Sequence, residues 1–322
     1  MAAAIAVKLK GFDVTVADPA HPPIDQACGE GLMPDSLDAL RHLGVRFGDE
    51  QSFVFRGIRF IGEGGTVAAE FPREPGVAVR RTRLHQLLIE RAEELGVKLL
   101  WRMPVKKLGD IRARWIIGAD GANSQVRRWA GLDGARQSFR YGFRRHYAVS
   151  PWTDLMEIYW GPGCQMYVSP VSVDETCVAL LTRDPTVRVE AALARFPELA
   201  RRLAGAQSIG EERGRLTVTR RLRRVSRGNV VLIGDASGSV DAITGEGMSL
   251  AFRQALVLST AITVGELERY ERAHRRMRRR PAFMAQLMLL LDRFPRARPH
   301  VLRAFAAQPL IFERLLAVHA GA

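Results

Sequence analysis

One stretch constrains the fold of this chain more than any other: VVLIGDASGSVDAITGEGMSLAFRQA, Val230 to Ala255. An apolar strand ends in Gly234-Asp235, a loop of small residues follows, and Gly245-Glu246-Gly247 opens a long helix through Met248. That order puts an exposed acid and a helix N-terminus at the same edge of a sheet. Gly245 and Gly247 let the backbone approach a flat ligand closely. The helix start offers unpaired N–H groups and the positive end of its dipole, which suit an electron-rich carbonyl or a developing anion. The carboxylate of Asp235 can accept hydrogen bonds from sugar-alcohol hydroxyls. An ordinary strand–loop–helix connection leaves the paired glycines and the exposed acid unexplained.

A second motif, ARWIIGADGANSQVRR (Ala113 to Arg128), delivers Asp120-Gly121 to the C-terminal end of another apolar strand. Ligands of open α/β sheets bind at that end, although Asp-Gly after a strand is by itself only a turn. The chain opens with a helical pattern, Ala2 to Lys10, capped by Gly11, and a β-branched strand, Phe12 to Ala17, ending on Asp18. This is the second half of a dinucleotide-binding βαβ unit. There an acid about 20 residues after a Gly-rich turn binds a ribose hydroxyl. The sequence starts inside the helix, so the first strand and its Gly-rich turn are expected ahead of Met1.

The remaining elements alternate as two interleaved lobes would. VFRGIRFIGEGGTVAAEF reads as a hairpin turning at Gly62 to Gly65. TRLHQLLIERAEELGV is an amphipathic helix with Leu84, Leu87, Leu88 and Ala92 on one face. Four strand-like segments between Phe139 and Thr182 suggest an antiparallel sheet. A helical pattern covers Val187 to Ala204, and everything after Glu266 reads as helix. At 322 residues and 47% hydrophobic the chain can bury a large core.

The formal charge of +14 is carried by arginine, concentrated in TRRLRRVSR (Thr219 to Arg227) and RAHRRMRRRP (Arg272 to Pro281). Such runs suit nucleic acid, an anionic membrane surface, acidic ligands or simply a solvated face. Three cysteines, Cys28, Cys164 and Cys177, without a C-x-x-C pair argue against a disulfide framework and a structural zinc site, and fit a reducing cytoplasm. No metal-ligand spacing is visible. No apolar run approaches the ~18 residues of a membrane span.

The Asp120-Gly121 and Gly234-Asp235 motifs together resemble the DG and GD signatures of FAD-dependent enzymes of the p-hydroxybenzoate hydroxylase superfamily. GDASGSVDAITGEGMSLAFRQA and ACGEGLMPDSLDALRHLGV (Ala27 to Val45) are closest in style to its geranylgeranyl reductase-like branch. RRTRLHQLL resembles the stretch in which an arginine, here Arg81, reaches the flavin side. The resemblance implies an α/β (α+β) fold. A Rossmann-like, three-layer FAD-binding domain (1–50, 72–135 and 214–265, first strand missing) would interleave with an antiparallel-sheet substrate domain (51–71 and 136–213). A C-terminal helical region (266–322) would follow.

The same resemblance implies the cofactor and its contacts. Asp18 would bind the adenosine ribose of FAD, and Asp120 and Gly121 would lie near the pyrophosphate. Asp235, after Gly234, would hold the ribityl chain, and the backbone from Gly245 through Glu246 and Gly247 to Met248 would face the flavin N1–C2=O edge. NAD(P)H would dock transiently as electron donor. Three departures stand out: the absent Gly-rich loop, a linker from Val105 to Arg112 too short for a β-meander, and Ala242 where the superfamily has proline. Absence of a Trp-x-Trp-x-Ile-Pro stretch disfavours the flavin-dependent halogenases.

Cys28, Tyr159 and Tyr167 are candidate substrate contacts, and no catalytic base is assigned. The leading expectation is an NAD(P)H-dependent monooxygenase acting on a small aromatic or polyketide-like molecule through a flavin C4a-(hydro)peroxide. The alternatives are a reductase of isoprenoid double bonds and a non-flavinylated remnant or basic binding protein. The expected partner is a small-molecule substrate, not nucleic acid, with peripheral membrane contact through the C-terminal basic helices as a further option.

Overall fold

The computed structural model describes residues 1–48, 51–134 and 136–321. The Ala2–Lys8 helix leads to the Thr15–Asp18 strand, which pairs in parallel with Lys98–Trp101. A second small sheet places Val230–Leu232 between Ile116–Gly118, parallel to it, and Ser226–Arg227, antiparallel. Both motifs therefore end neighbouring parallel strands, with Val230 opposite Ile116 and Leu232 opposite Gly118. The two sheets share one core, in which Ile5, Leu88, Val231 and Leu258 are buried together. The Gly247–Val264 helix runs through that core and buries Leu250, Phe252, Ala255, Leu258 and Ile262. It is the one helix among the described residues long and apolar enough to cross a membrane, and half of it is buried. A helix that packs on several sides must be apolar on several sides, so its composition follows from its place in the core.

The other lobe is a seven-stranded sheet in the order Gln207–Arg220, Arg136–Ala148, Thr176–Thr182, Cys164–Pro170, Leu155–Gly161, Gly57–Gly62, Gly65–Glu70. Only Leu155–Gly161 and Gly57–Gly62 pair in parallel. The hairpin closes with Gly62 opposite Gly65, at the turn the glycines mark. Leu155–Gly161 is buried at every residue. One face of this sheet packs Met156 and Ile158 against Phe55, Leu302 and Phe312. The other packs Tyr159, Met166 and Val168 against Phe196 and Leu199.

The architecture is the α/β fold with an antiparallel sheet and C-terminal helices that the motifs imply. Some boundaries differ. The helical pattern from Val187 to Ala204 divides into Val189–Leu193 and Pro197–Arg202, because proline is tolerated only in a first helical turn. The C-terminal region resolves into Leu267–Met277, Arg279–Arg293, Arg298–Ala307 and Pro309–Ala320. Gln207–Arg220 is one continuous strand that crosses the 213/214 boundary. Phe53–Phe55 joins Gly76–Ala78 and Gly31–Leu32 in a three-stranded sheet of its own. The boundary residues 50 and 135 lie outside the described residues.

Arg127, from the Asp120-Gly121 motif, joins the two motif loops. Its buried guanidinium donates to the carbonyls of Ala122 (2.8 Å) and Ala236 (3.1 Å) and to Asp133 (2.8 Å). Arg127→Met would keep much of the packing but leave two carbonyls and a carboxylate without their donor. We expect a loss of about 3 kcal/mol, read as a lower denaturant midpoint at unchanged slope. A loss below about 0.5 kcal/mol would show that the loops hold without the clamp.

Candidate active site

A cavity of about 450 Å³ opens where the Val230–Leu232 strand ends, bounded by the start of the Gly247–Val264 helix, one face of the large sheet and the C-terminal helices. Its volume falls in the range of small-molecule sites.

One end of the cavity is polar. Gly234 turns the chain with φ +59°, a conformation that favours glycine, and its N–H donates to the buried Gln254 Oε1 at 2.7 Å. The strand before it is anchored by Tyr270, whose hydroxyl donates to the Leu232 carbonyl at 2.8 Å. Asp235 then projects into the cavity, one-third exposed, and accepts from Arg215 Nη2 at 2.7 Å. The other Arg215 nitrogen donates to Gln26 Oε1 at 3.0 Å. Gly245, with φ +70°, closes the Ala242–Thr244 turn, and the helix begins at Gly247 with no side-chain cap. Gly245, Gly247 and Met248 all line the wall, and a Cβ at either glycine would meet no protein atom within 4 Å.

An uncapped helix N-terminus, open space at two glycines and an acid directly after the Gly234 turn make a donor and acceptor set that fits FAD. The helix N–H groups could take the negative charge that reduction places at the flavin N1–C2=O edge, and Asp235 could take the ribityl hydroxyls.

The other expected residues fall into two groups. Cys28, Arg81 and Tyr167 line the cavity. Tyr167 donates to the Ile243 carbonyl at 2.7 Å, which fixes its phenol beside the turn. Burial pushes the Cys28 thiol up, with Arg81 pulling the other way, so it stays protonated at neutral pH. Tyr159 departs from expectation: strand alternation turns it to the opposite face, where it donates to Glu157 at 2.9 Å and packs on Phe196. Asp120 is spent on helix capping, accepting from Ser124 Oγ (2.5 Å) and from the N–H groups of Gln125 (2.6 Å) and Val126 (3.1 Å). Gly121 lies beside Arg215. Asp18 ends its strand outside the cavity and accepts from Ala20 N at 2.8 Å.

Glu246 also turns away from the cavity. It is buried at the joint with the C-terminal helices, 3.3 Å from Arg280 and 3.5 Å from His319. Arg280 is shared with Asp35 at 2.7 Å, and Arg253 reaches the same acid at 3.2 Å. Burial pushes Glu246 up to about 7, with Arg280 opposing and Asp35 reinforcing. Across the cavity, Glu30 is buried with φ +60° and accepts from Arg81 N (2.8 Å) while pairing with His146 Nε2 (2.6 Å). Glu30, His146 and Cys177 have ligand-like spacing, but Arg144 sets its guanidinium 2.9 Å from His146 Nδ1 and 3.5 Å from Glu30. A fixed positive charge there opposes a cation.

Arg215, Gln254 and Asp241 were not singled out from the sequence. Arg215 had a signal: the alternation in GRLTVTR reads as a strand, and a strand leading into the Gly234-Asp235 motif can pass its acid.

The FAD binding domain family matches residues 105–265, both motifs included. The chain belongs to that family. It is an FAD-dependent oxidoreductase, and its relatives are similar rather than equivalent. Menaquinone reductase of Mycobacterium tuberculosis is 26% identical over 296 residues, 80% of this chain and 72% of that one. Digeranylgeranylglycerophospholipid reductase of Methanocaldococcus jannaschii is 25% identical over 277 residues, 74% and 71% of the two chains. The solved flavin-dependent brominase Bmp2 superposes with a TM-score of 0.82 at 19% identity, covering 100% of this chain and 90% of that one, a likeness of fold.

Asp235→Ala should weaken FAD binding by about tenfold to a hundredfold, the worth of a charged hydrogen bond. The melting temperature of the apo protein should move little, because a one-third exposed pair such as Arg215–Asp235 contributes at most about 1 kcal/mol. FAD titration and apo melting curves separate the two effects. Unchanged affinity would remove Asp235 from the cofactor site.

Glu246 gives a pH signature. Its folded value lies above the ordinary 4.5, so the folded protein holds that proton more tightly than the unfolded chain. The stabilisation is whole below 4.5 and is lost as pH rises through about 7. Glu246→Gln cannot ionise, so its melting temperature should fall less than that of the parent across this window. Parallel curves would show that Glu246 keeps an ordinary carboxylate value.

Proposed function

We propose that this oxidoreductase reduces carbon–carbon double bonds of a long apolar, isoprenoid-type substrate, with NAD(P)H as electron source. The observation that carries this reading is the two-ended cavity. Most of its polar groups gather at the cofactor end, Arg298 and His319 on the C-terminal helices being the exceptions. Beyond Trp160 its walls are Leu287, Leu291, Val301, Leu302, Phe305 and Leu315 from the C-terminal helices. An apolar wall of that length suits a hydrocarbon chain better than a small hydroxylated ring. Relatives named as reductases, one of them of a digeranylgeranyl lipid, support it. The monooxygenase that the sequence motifs put first is the second reading.

Saturating one double bond takes two electrons and two protons. NAD(P)H is oxidised to NAD(P)+ and supplies the electron pair and one proton, and solvent supplies the other. FAD, when bound, carries the electrons from one to the other. The protein's part is to hold FAD through the helix start, Asp235 and Arg215, to exclude water with the apolar wall, and to place a proton near the double bond. Cys28 is one group on the wall that holds one, since burial keeps its thiol protonated, whereas the Tyr167 proton is engaged with the Ile243 carbonyl.

Anaerobic incubation with NADPH and a geranylgeranyl lipid should give a product heavier by two hydrogens per double bond. A product that forms only in air and gains oxygen would replace reduction by hydroxylation. Cys28→Ala should lower turnover about a hundredfold with FAD binding unchanged, as loss of a positioned acid does. Unchanged turnover would assign the proton to another donor.

A further inference from the structure

Half of the exposed large apolar side chains among the described residues, six of twelve, lie on the C-terminal helices: Phe283, Leu290, Phe294, Leu310, Ile311 and Val318. They fall into rows. On the Arg279–Arg293 helix, Arg279, Phe283, Gln286, Leu290 and Arg293 are exposed and recur at steps of four and three, so they share one face, while Met284, Ala285 and Met288 are buried on the other. On Pro309–Ala320, Leu310, Arg314 and Val318 follow at steps of four with Ile311 beside them, while Phe312, Leu316 and His319 point inward. Single exposed apolar residues are ordinary, but aligned rows on neighbouring helices mark an interaction surface.

The charges on this face are nearly all of one sign. From Arg279 onward the sequence has seven arginines against Asp292 and Glu313. Asp292 turns inward to Arg140 at 2.9 Å, and Arg280 and Arg298 turn inward to Asp35 and to the Gly161 carbonyl. Arg279, Arg293, Arg296 and Arg314 are exposed and make no ion pair among the described residues. Leu290 belongs to this outer row, 53% exposed, and also lines the cavity, so the cavity opens on the same face.

We propose that the outer face of the Arg279–Arg293 and Pro309–Ala320 helices docks on an anionic lipid bilayer, lying in its interface with the cavity mouth toward the acyl layer. Apolar rows rimmed by unpaired arginines match headgroup phosphates and the hydrocarbon beneath them together. Nucleic acid would satisfy the arginines and leave the apolar rows in water. With fifteen and twelve residues the helices are too short to span, which fits a surface position. The inference goes beyond the proposed reaction. Binding is read without turnover, so its failure leaves the reductase reading standing, and an inactive enzyme leaves the docking testable.

The test is flotation of the FAD-loaded protein with vesicles of phosphatidylcholine alone or mixed with phosphatidylglycerol, at low and high salt. Binding to the mixed vesicles that weakens with salt is expected. Arg293→Gln with Arg314→Gln should lower it about fivefold per arginine, equivalent to about 1 kcal/mol each. Phe283→Ser with Ile311→Ser should abolish it at every salt concentration. Neither pair lines the cavity, so FAD binding and melting temperature should hold and report intact folding. Absence of flotation with either vesicle, or flotation unchanged in both variants, would overturn the proposal. So would a dimer in solution that Phe283→Ser with Ile311→Ser dissolves, since the face would then belong to a second copy.

Discussion

Desolvated guanidinium groups hold the walls of the cavity together. Arg140 joins the large sheet to Asp241 (3.0 Å) and to Asp292 on a C-terminal helix (2.9 Å). Arg144 joins the next part of the same strand to Asp25 (2.7 Å), and Arg280 joins the C-terminal helices to Asp35 (2.7 Å). These partners lie between 101 and 245 residues apart in sequence. Taking an arginine out of water costs several kcal/mol unless its N–H groups are met, so each tie is stable only when both distant segments are in place. The ties are not perfect: Nε of Arg144, Arg280 and Arg298 has no acceptor. What they contribute is specificity of assembly, since removing one acid leaves each guanidinium with only its second carboxylate: Asp292 or Asp241 at Arg140, Glu30 or Asp25 at Arg144, Glu246 or Asp35 at Arg280.

The cavity that results is electrically lopsided. At one end a helix start, Arg215 and Arg81 surround Asp235. At the other the lining is mostly leucine, methionine, valine and phenylalanine, with Arg298 and His319 among them. A ligand with a polar head and a hydrocarbon tail can satisfy both ends in one orientation only. The glycines at 245 and 247 matter here as removed bulk: side chains there would stand where a flat ring has to lie.

Much of this was legible in the sequence because it rests on local patterns. A buried run ending in Gly234-Asp235 and the paired glycines before a helix fix backbone geometry within a few residues, and the positions of Asp235, Gly245 and Met248 follow. Hairpin glycines and alternating apolar segments gave the antiparallel sheet in the same way. What stayed hidden depends on pairing across the chain. The arginine runs read as a solvated face, yet Arg220 and Arg278 are turned inward. Glu246 sits in the most informative motif and still serves the C-terminal helices, because their docking decides which way it points. Tyr159 and Tyr167 look alike in sequence, and only the register of their strands separates them.

The Gln207–Arg220 strand forms one edge of the large sheet, pairing with Arg136–Ala148 along most of its length with register shifts after Ile209 and Thr219, and ends in a bridge from Arg220 to Ser239 of the motif loop. At about 3.4 Å per residue it is a stiff beam roughly 45 Å long. The Arg220–Ser239 bridge and the Arg215–Asp235 pair fasten this edge strand to the motif loop, and swinging the lobes apart like the halves of a clamshell would break both. Traffic through the cavity must therefore use small rearrangements at its rim.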